Sequence, residues 1–122
     1  MRDEQTTVAA LSDIVRRFND ERDWAQYHSP RNLAMALSVE AAELLELYLW
    51  CKDEGPQPAV ATRVPKVEEE VADVAICLLA FCDRTGIDLA AAVERKVAAN
   101  ALRYPVDEAR GRMEKADELR ER

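Results

Sequence analysis

Glycine, proline and aromatic residues are all scarce in this 122-residue chain: 3 glycines, 5 prolines and 6% aromatics. So few turn-forming and strand-favouring residues argue against an all-β fold and against disorder, and the length suits one modest domain with its own core. Histidine is nearly absent, His28 being the single one, which excludes a His-rich metal site and leaves a loop hydrogen-bonding role as the expectation for that residue. The three cysteines, Cys51, Cys77 and Cys82, form no CxxC pair. Neither a disulfide framework nor a thiolate zinc site is supported, and they read as small buried apolar residues. No GxSxG, GxGxxG or Walker phosphate-loop motif occurs, so any chemistry must rest largely on carboxylates. The opening MRDEQTT lacks the apolar core of a signal peptide, and the longest apolar run, Val74 to Cys82, is too short to cross a bilayer. The expected location is the cytoplasm.

Apolar residues make up 48% and charged residues 34%, with 17 Lys and Arg against 24 Asp and Glu for a net charge of −7. That excess of acid argues against broad binding to nucleic acid or to an anionic membrane, and an anionic ligand would need local positive charge or a metal. Four helical stretches and a polar tail are expected, without repeats. The first helix runs from about Thr7 to Asp20, with Val8, Leu11, Val15 and Phe18 as its apolar face. Ser29 followed by Pro30 caps a second helix that should reach about Lys52, before Gly55, Pro56 and Pro58. A third begins near Pro65 and stops at Gly86; a fourth is capped by Asp88 and fades near Tyr104 and Pro105. Residues 1–106 form the expected domain, and 107–122 a polar tail with almost no apolar stripe, frayed, disordered or weakly helical through its charge pairs.

Laid on a helical wheel, Leu33, Leu37, Leu44, Leu47 and Cys51 share one narrow sector, and Glu40 lies in the middle of it. An ionised carboxylate buried alone costs several kcal/mol, on the order of what such groups cost in protein interiors, so Glu40 must be protonated, paired or bound to a metal. Glu43, three residues on, flanks the same face. The third helix repeats the arrangement: Val67, Val71, Val74 and Leu78 form its stripe, and Glu70 and Asp73 run along the border with Cys77 and Phe81. If these helices pack antiparallel, all four carboxylates can meet between them, and four oxygen donors suit a hard cation, Mg²⁺ first and Mn²⁺ as a substitute. On the fourth helix Lys96, Asn100 and Arg103 share a face; two cations and an amide there can hold the phosphates of a nucleotide. Trp24, Trp50 and the machinery around them offer surfaces on which a base could stack. Leu45, Leu49 and Ile76 would leave apolar surface on the far sides of so thin a helical layer, which suggests a homo-oligomer.

Several ordered motifs resemble one family. RNLAMALSVEAAELLE followed by EEEVADV looks like the ExxE and ExxD signature of the MazG-like, all-α nucleoside triphosphate pyrophosphohydrolases, and KVAANALRYP looks like their downstream Lys-x-x-x-Asn element. ERDW, HSPRNL and NALRYPV are similar to the dCTP pyrophosphatase (dCTPase) group within it. The resemblance implies a four-helix-bundle-type fold assembled as a dimer or tetramer with active sites at subunit interfaces. It also implies Mg²⁺-dependent cleavage of a nucleoside triphosphate to monophosphate and pyrophosphate, with Glu40, Glu43, Glu70 and Asp73 as metal ligands. Glu40, Glu43, Glu70 and Lys96 would be catalytic, and Trp24, Trp50, Lys96, Asn100, Arg103 and Tyr104 would bind the substrate, which the resemblance implies is dCTP or a modified dCTP. The dCTPase group carries a tyrosine where this chain has Cys77 and a first-helix histidine where it has Val15, positions that line the nucleotide pocket, so base and sugar preference stay open. Two alternatives remain: a related pyrophosphohydrolase for dUTP, phosphoribosyl-ATP or a damaged nucleotide, and a non-catalytic helical module that binds a nucleotide or a protein.

Overall fold

The computed structural model describes residues 1–50 and 64–120, and all regular structure among them is helical. The backbone forms two compact units, Met1–Ile87 and Asp88–Arg122.

In the first unit α1 spans Val8–Glu21. Thr7 opens it, its hydroxyl oxygen accepting from the Ala10 N–H at 3.1 Å, which satisfies one of the donors that a helix start leaves free. At the other end Asp23 takes a left-handed conformation with φ 53°. The Asp23 N–H then reaches Asp20 O at 3.1 Å and the Trp24 N–H reaches Asn19 O at 3.0 Å, the paired bonds of a Schellman stop with an aspartate where glycine is usual. A 3₁₀ turn, Ala25–Tyr27, leads to α2, Pro30–Glu46, whose start is capped as its Ser-Pro pair predicts: Ser29 Oγ accepts from the Asn32 N–H at 3.2 Å.

Helix α2 ends sooner than its sequence suggests, at Glu46 and not near Lys52. The N–H groups of Leu47 and Tyr48 turn to the carbonyls three residues back, Leu44 at 3.3 Å and Leu45 at 2.9 Å, so the last turn tightens and the α-helical ladder stops. Trp50 therefore lies in a turn beyond the helix. The expected stops at Gly55, Pro56 and Pro58, and Cys51 itself, lie outside the described residues.

Helix α3, Val64–Thr85, is the centre of the unit, since both α2 and α1 pack on it. Gly86 ends it at φ 71°, with the Ile87 N–H on Cys82 O at 2.9 Å; a Cβ at Gly86 would meet nothing, so backbone conformation alone demands glycine there. Leu33 of α2 and Leu79 and Cys82 of α3 are the buried apolar residues among those described in this unit. Along α2 the less exposed positions are Leu33, Leu37, Glu40, Leu44 and Leu47, the stripe read from the sequence. On α3 the stripe is turned from its expected position: Val71 is half exposed, while Glu70, read as a border residue, is buried at 5% exposure. An ion pair fastens α1 to α3, with Arg16 Nη2 2.7 Å and Nε 3.1 Å from Asp83 Oδ1, and Nη1 2.7 Å from Asp13. Hydrogen bonds to Asp83 and then Asp13 hold the Arg16 proton still more firmly than usual.

The second unit carries α4, Leu89–Arg103, with Asp88 Oδ1 accepting from the Ala91 N–H at 2.9 Å. The polar C-terminal segment carries two short helices, α5 at Val106–Ala109 and α6 at Ala116–Arg120, in keeping with the weakly helical form of the expected tail. Ala116 and Leu119 are among the buried apolar residues, so this segment has two apolar anchors that a count of its charges conceals.

Candidate metal and nucleotide site

Packing α2 on α3 brings three carboxylates together. One oxygen from each of Glu40, Glu43 and Glu70 lies within 4.8 Å of the others. Glu40 and Glu43 sit one turn apart on α2, and Glu70 faces them from α3, so the group exists only when the two helices meet. Burial grades across it: Glu43 is exposed, Glu40 partly buried and Glu70 buried.

The donor set fits a divalent cation. Glu40 Oε2 and Glu70 Oε2 are buried and lack a hydrogen-bond partner among the described residues. Buried polar atoms are nearly always satisfied, and unpaired carboxylate oxygens are the most costly exceptions. Oxygens within 4.8 Å of one another are near enough for side-chain rotation to bring them onto one ion.

Asp73, expected as the fourth ligand, is partly buried one turn along α3 and stands outside the trio of oxygens. Its charge is felt next to the site. Burial first, and then the charges of Glu40 and Asp73, push the Cys77 thiol above its ordinary range. Burial does the same to Cys82, so the apolar reading fits Cys82 best, while Cys77 is only partly buried and lies beside acids.

Neither tryptophan is buried. Trp24 is half exposed and meets Phe18 edge to face at 5.6 Å, with the Arg22 guanidinium 3.8 Å from the centre of the same Phe18 ring. Trp50 is 95% exposed, its whole face open. Between α1, the 3₁₀ turn and α3 lies a cavity of about 150 Å³, lined by Val15, Asn19, His28 and Asp83 among others. His28 reaches it from the loop end, its backbone N–H held by Ala25 O at 3.1 Å. The cavity wall on α3 starts at Leu79, nine residues and so about 14 Å beyond Glu70.

In the second unit Lys96, Asn100 and Arg103 follow one another along α4, with Lys96 and Arg103 exposed. Tyr104 caps the helix, its N–H on Asn100 O at 2.8 Å, and the Arg103 guanidinium lies 5.7 Å from the centre of its ring. These residues form a cationic, partly aromatic strip.

Two features were missed in the sequence reading. The Lys66 ammonium lies 3.3 Å from Glu70 Oε1 and 3.4 Å from Glu69 Oε2. Spacings of four and three on one helix permit such pairs, but only burial of Glu70 makes this one notable. The Arg16 link to Asp83 joins residues far apart in the chain and had no local signal.

Residues 35–119 match the MazG-like family. The chain is similar to dCTP pyrophosphatase 1 of Bos taurus, with 44% identity over 106 residues that cover 83% of this chain and 63% of the bovine protein. It is likewise similar to dCTP pyrophosphatase 1 of Homo sapiens, with 43% identity over 114 residues, 89% of this chain and 67% of the human protein. The matched part of the chain thus spans about 63% of the length of the bovine relative. Its fold is similar to that of a pyrophosphatase from Archaeoglobus fulgidus DSM 4304, with a TM-score of 0.74 and 45% identity over 78% of this chain and 89% of that one. Matched over most of its length by sequence and by fold, the chain belongs to the MazG-like family.

Proposed function

We propose that the protein is a metal-dependent nucleoside triphosphate pyrophosphohydrolase that converts a deoxynucleoside triphosphate, dCTP or a modified dCTP, to its monophosphate and pyrophosphate. The observation that carries this reading is the convergence of Glu40, Glu43 and Glu70 with two buried, unpartnered carboxylate oxygens. The likeness to proteins named dCTP pyrophosphatase 1 supports the substrate.

A bound Mg²⁺, or Mn²⁺ in its place, supplies charge neutralisation on the phosphates and makes a bound water more acidic. The chain's own residues do the rest. Glu70, buried, and Glu40, partly buried, are assigned as ligands, joined by Asp73 as an outer donor. Glu43, exposed at the edge of the trio, would orient a water and take its proton as that water attacks the α-phosphorus and the bond from that phosphorus to the bridging oxygen breaks, leaving monophosphate and releasing pyrophosphate. In the second unit Lys96 and Arg103, with Asn100 as a neutral donor and Tyr104 beside them, are groups suited to binding phosphates and to offsetting the charge of a departing pyrophosphate. Trp24 and Trp50 offer ring faces to the base. Apolar side chains left open on α2 and α3, Val39, Leu45 and Ile76 among them, support a homo-oligomer, and the free thiols at Cys77 and Cys82 suit the cytoplasm.

Product analysis on canonical and 5-modified dNTPs and the matching NTPs, with Mg²⁺ or with EDTA, tests the proposal. Metal-dependent release of monophosphate and pyrophosphate, greatest for dCTP or its modified forms, is the expected result. The same products from another nucleotide would keep the reaction and replace the substrate, and no turnover at all would overturn the enzymatic reading.

A further inference from the structure

We infer that Lys66 is a built-in competitor of the metal: its ammonium neutralises Glu70 in the metal-free protein and must yield when a divalent cation claims that carboxylate. The inference rests on the reading of Glu40, Glu43 and Glu70 as the metal site.

Three observations carry it. Lys66 Nζ stands 3.3 Å from Glu70 Oε1, so the one buried carboxylate of the trio already has a cation on one oxygen, while its other oxygen is buried and unpartnered. The second contact, 3.4 Å to Glu69 Oε2, gives the ammonium somewhere to remain after it leaves Glu70, since Glu69 is exposed and outside the trio. Lys66 is itself well exposed at 57% of its side chain, so moving it disturbs no packing.

Helix stability does not account for a lysine at this position. Lys66 lies in the first turn of α3, where a cation opposes the helix dipole and where an acid would be favoured. The order of the pair, Lys before Glu at a spacing of four, is also the weaker of the two orders. What the position does offer is reach to Glu70. A single positive charge there lowers the negative field felt by an incoming ion. A monovalent cation gains little by replacing an ammonium, whereas a divalent ion brings an extra charge and can satisfy Glu40 and Glu43 at once. Lys66 thereby raises the metal concentration at which the site fills and favours ions of high charge.

The test measures Mn²⁺ binding without nucleotide, by the fall in the free-ion magnetic resonance signal, in the parent chain and in the Lys66→Met, Lys66→Arg and Glu70→Gln variants, each checked for helix content by circular dichroism. Lys66→Met is expected to tighten the apparent Kd by about three- to fivefold, the range open to an exposed pair, whereas Lys66→Arg stays near the parent. Raising NaCl should shrink the gap between Lys66→Met and the parent, because salt screens the ammonium. Equal or weaker Mn²⁺ binding by Lys66→Met, with Glu70→Gln abolishing it, overturns this inference and leaves the metal site standing. Absence of Mn²⁺ binding in the parent, or unaltered binding in Glu70→Gln, overturns both.

Discussion

Glu40 on α2 and Glu70 on α3 face one another across the helix seam, and each keeps a buried Oε2 without a hydrogen-bond partner among the described residues. With Glu43 they bring three carboxyl groups into one small volume. Replacing Glu40 by Gln removes an acid from the cluster and keeps the shape, so the metal-free variant should be more stable than the parent by about 1 kcal/mol, a rise in Tm of about 4 °C. The same change should lower kcat/KM by at least about a hundredfold and abolish the Mg²⁺-induced rise in Tm. Paired thermal melts with Mg²⁺ and with EDTA check this, and a less stable variant that still responds to Mg²⁺ would remove Glu40 from the site.

The thiol of Cys77 gives a pH-dependent readout. Burial, Glu40 and Asp73 all hold its proton on, so its reaction with a disulfide reagent should be slow at pH 8 and keep climbing beyond pH 9, where an ordinary thiol with a pKa of about 8.5 levels off. For stability the sign follows from an acid whose folded pKa is raised. Below the ordinary thiol range both states hold the proton and nothing changes; above it the unfolded chain alone has released the proton, so stability falls as pH rises. Mg²⁺ that offsets the Glu40 charge should quicken Cys77 relative to Cys82, whose pKa is raised by burial alone. Labelling followed by peptide mass spectrometry distinguishes the two cysteines, and levelling of the Cys77 rate below pH 8 would contradict the expectation.

Ser29 holds the start of the helix that carries Glu40 and Glu43. Losing the bond from the Asn32 N–H to Ser29 Oγ should cost the Ser29→Ala variant about 1 kcal/mol, read as an earlier urea midpoint with an unchanged slope. Mg²⁺ should restore part of the loss, since the ion binds only the folded seam.

Val39, Leu45 and Ile76 expose more apolar surface than isolated side chains need. Leu45→Glu together with Ile76→Glu should leave helix content unchanged and shift the mass measured by light scattering towards the monomer. An unchanged mass would show that these positions lie outside the contact between copies.

Much of this was legible in the sequence because local chemistry decides it. Thr7, Ser29 and Asp88 cap the helices they precede, Gly86 stops α3, and the period of the leucines on α2 sets Glu40 inward. What failed to show depends on contact between distant segments. Glu70 is more central than its own helix suggests because α2 and α1 approach α3 from directions that its periodicity does not fix. The end of α2 was misread because the apolar run through Leu47 and Leu49 continues past the point where the hydrogen bonds change partners. The buried Ala116 and Leu119 are hidden for another reason: two apolar anchors in an acidic and basic segment give no visible stripe.

The carboxylates sit where α2 and α3 would otherwise interlock through leucine and valine alone, which makes the heart of this seam locally frustrated. Such a seam is weakest at its middle, and without metal its amide protons there should exchange sooner than those of the flanking turns. Apolar replacements of Glu40 and Glu70 would therefore make a firmer bundle and remove the place where the two helices gather carboxylates.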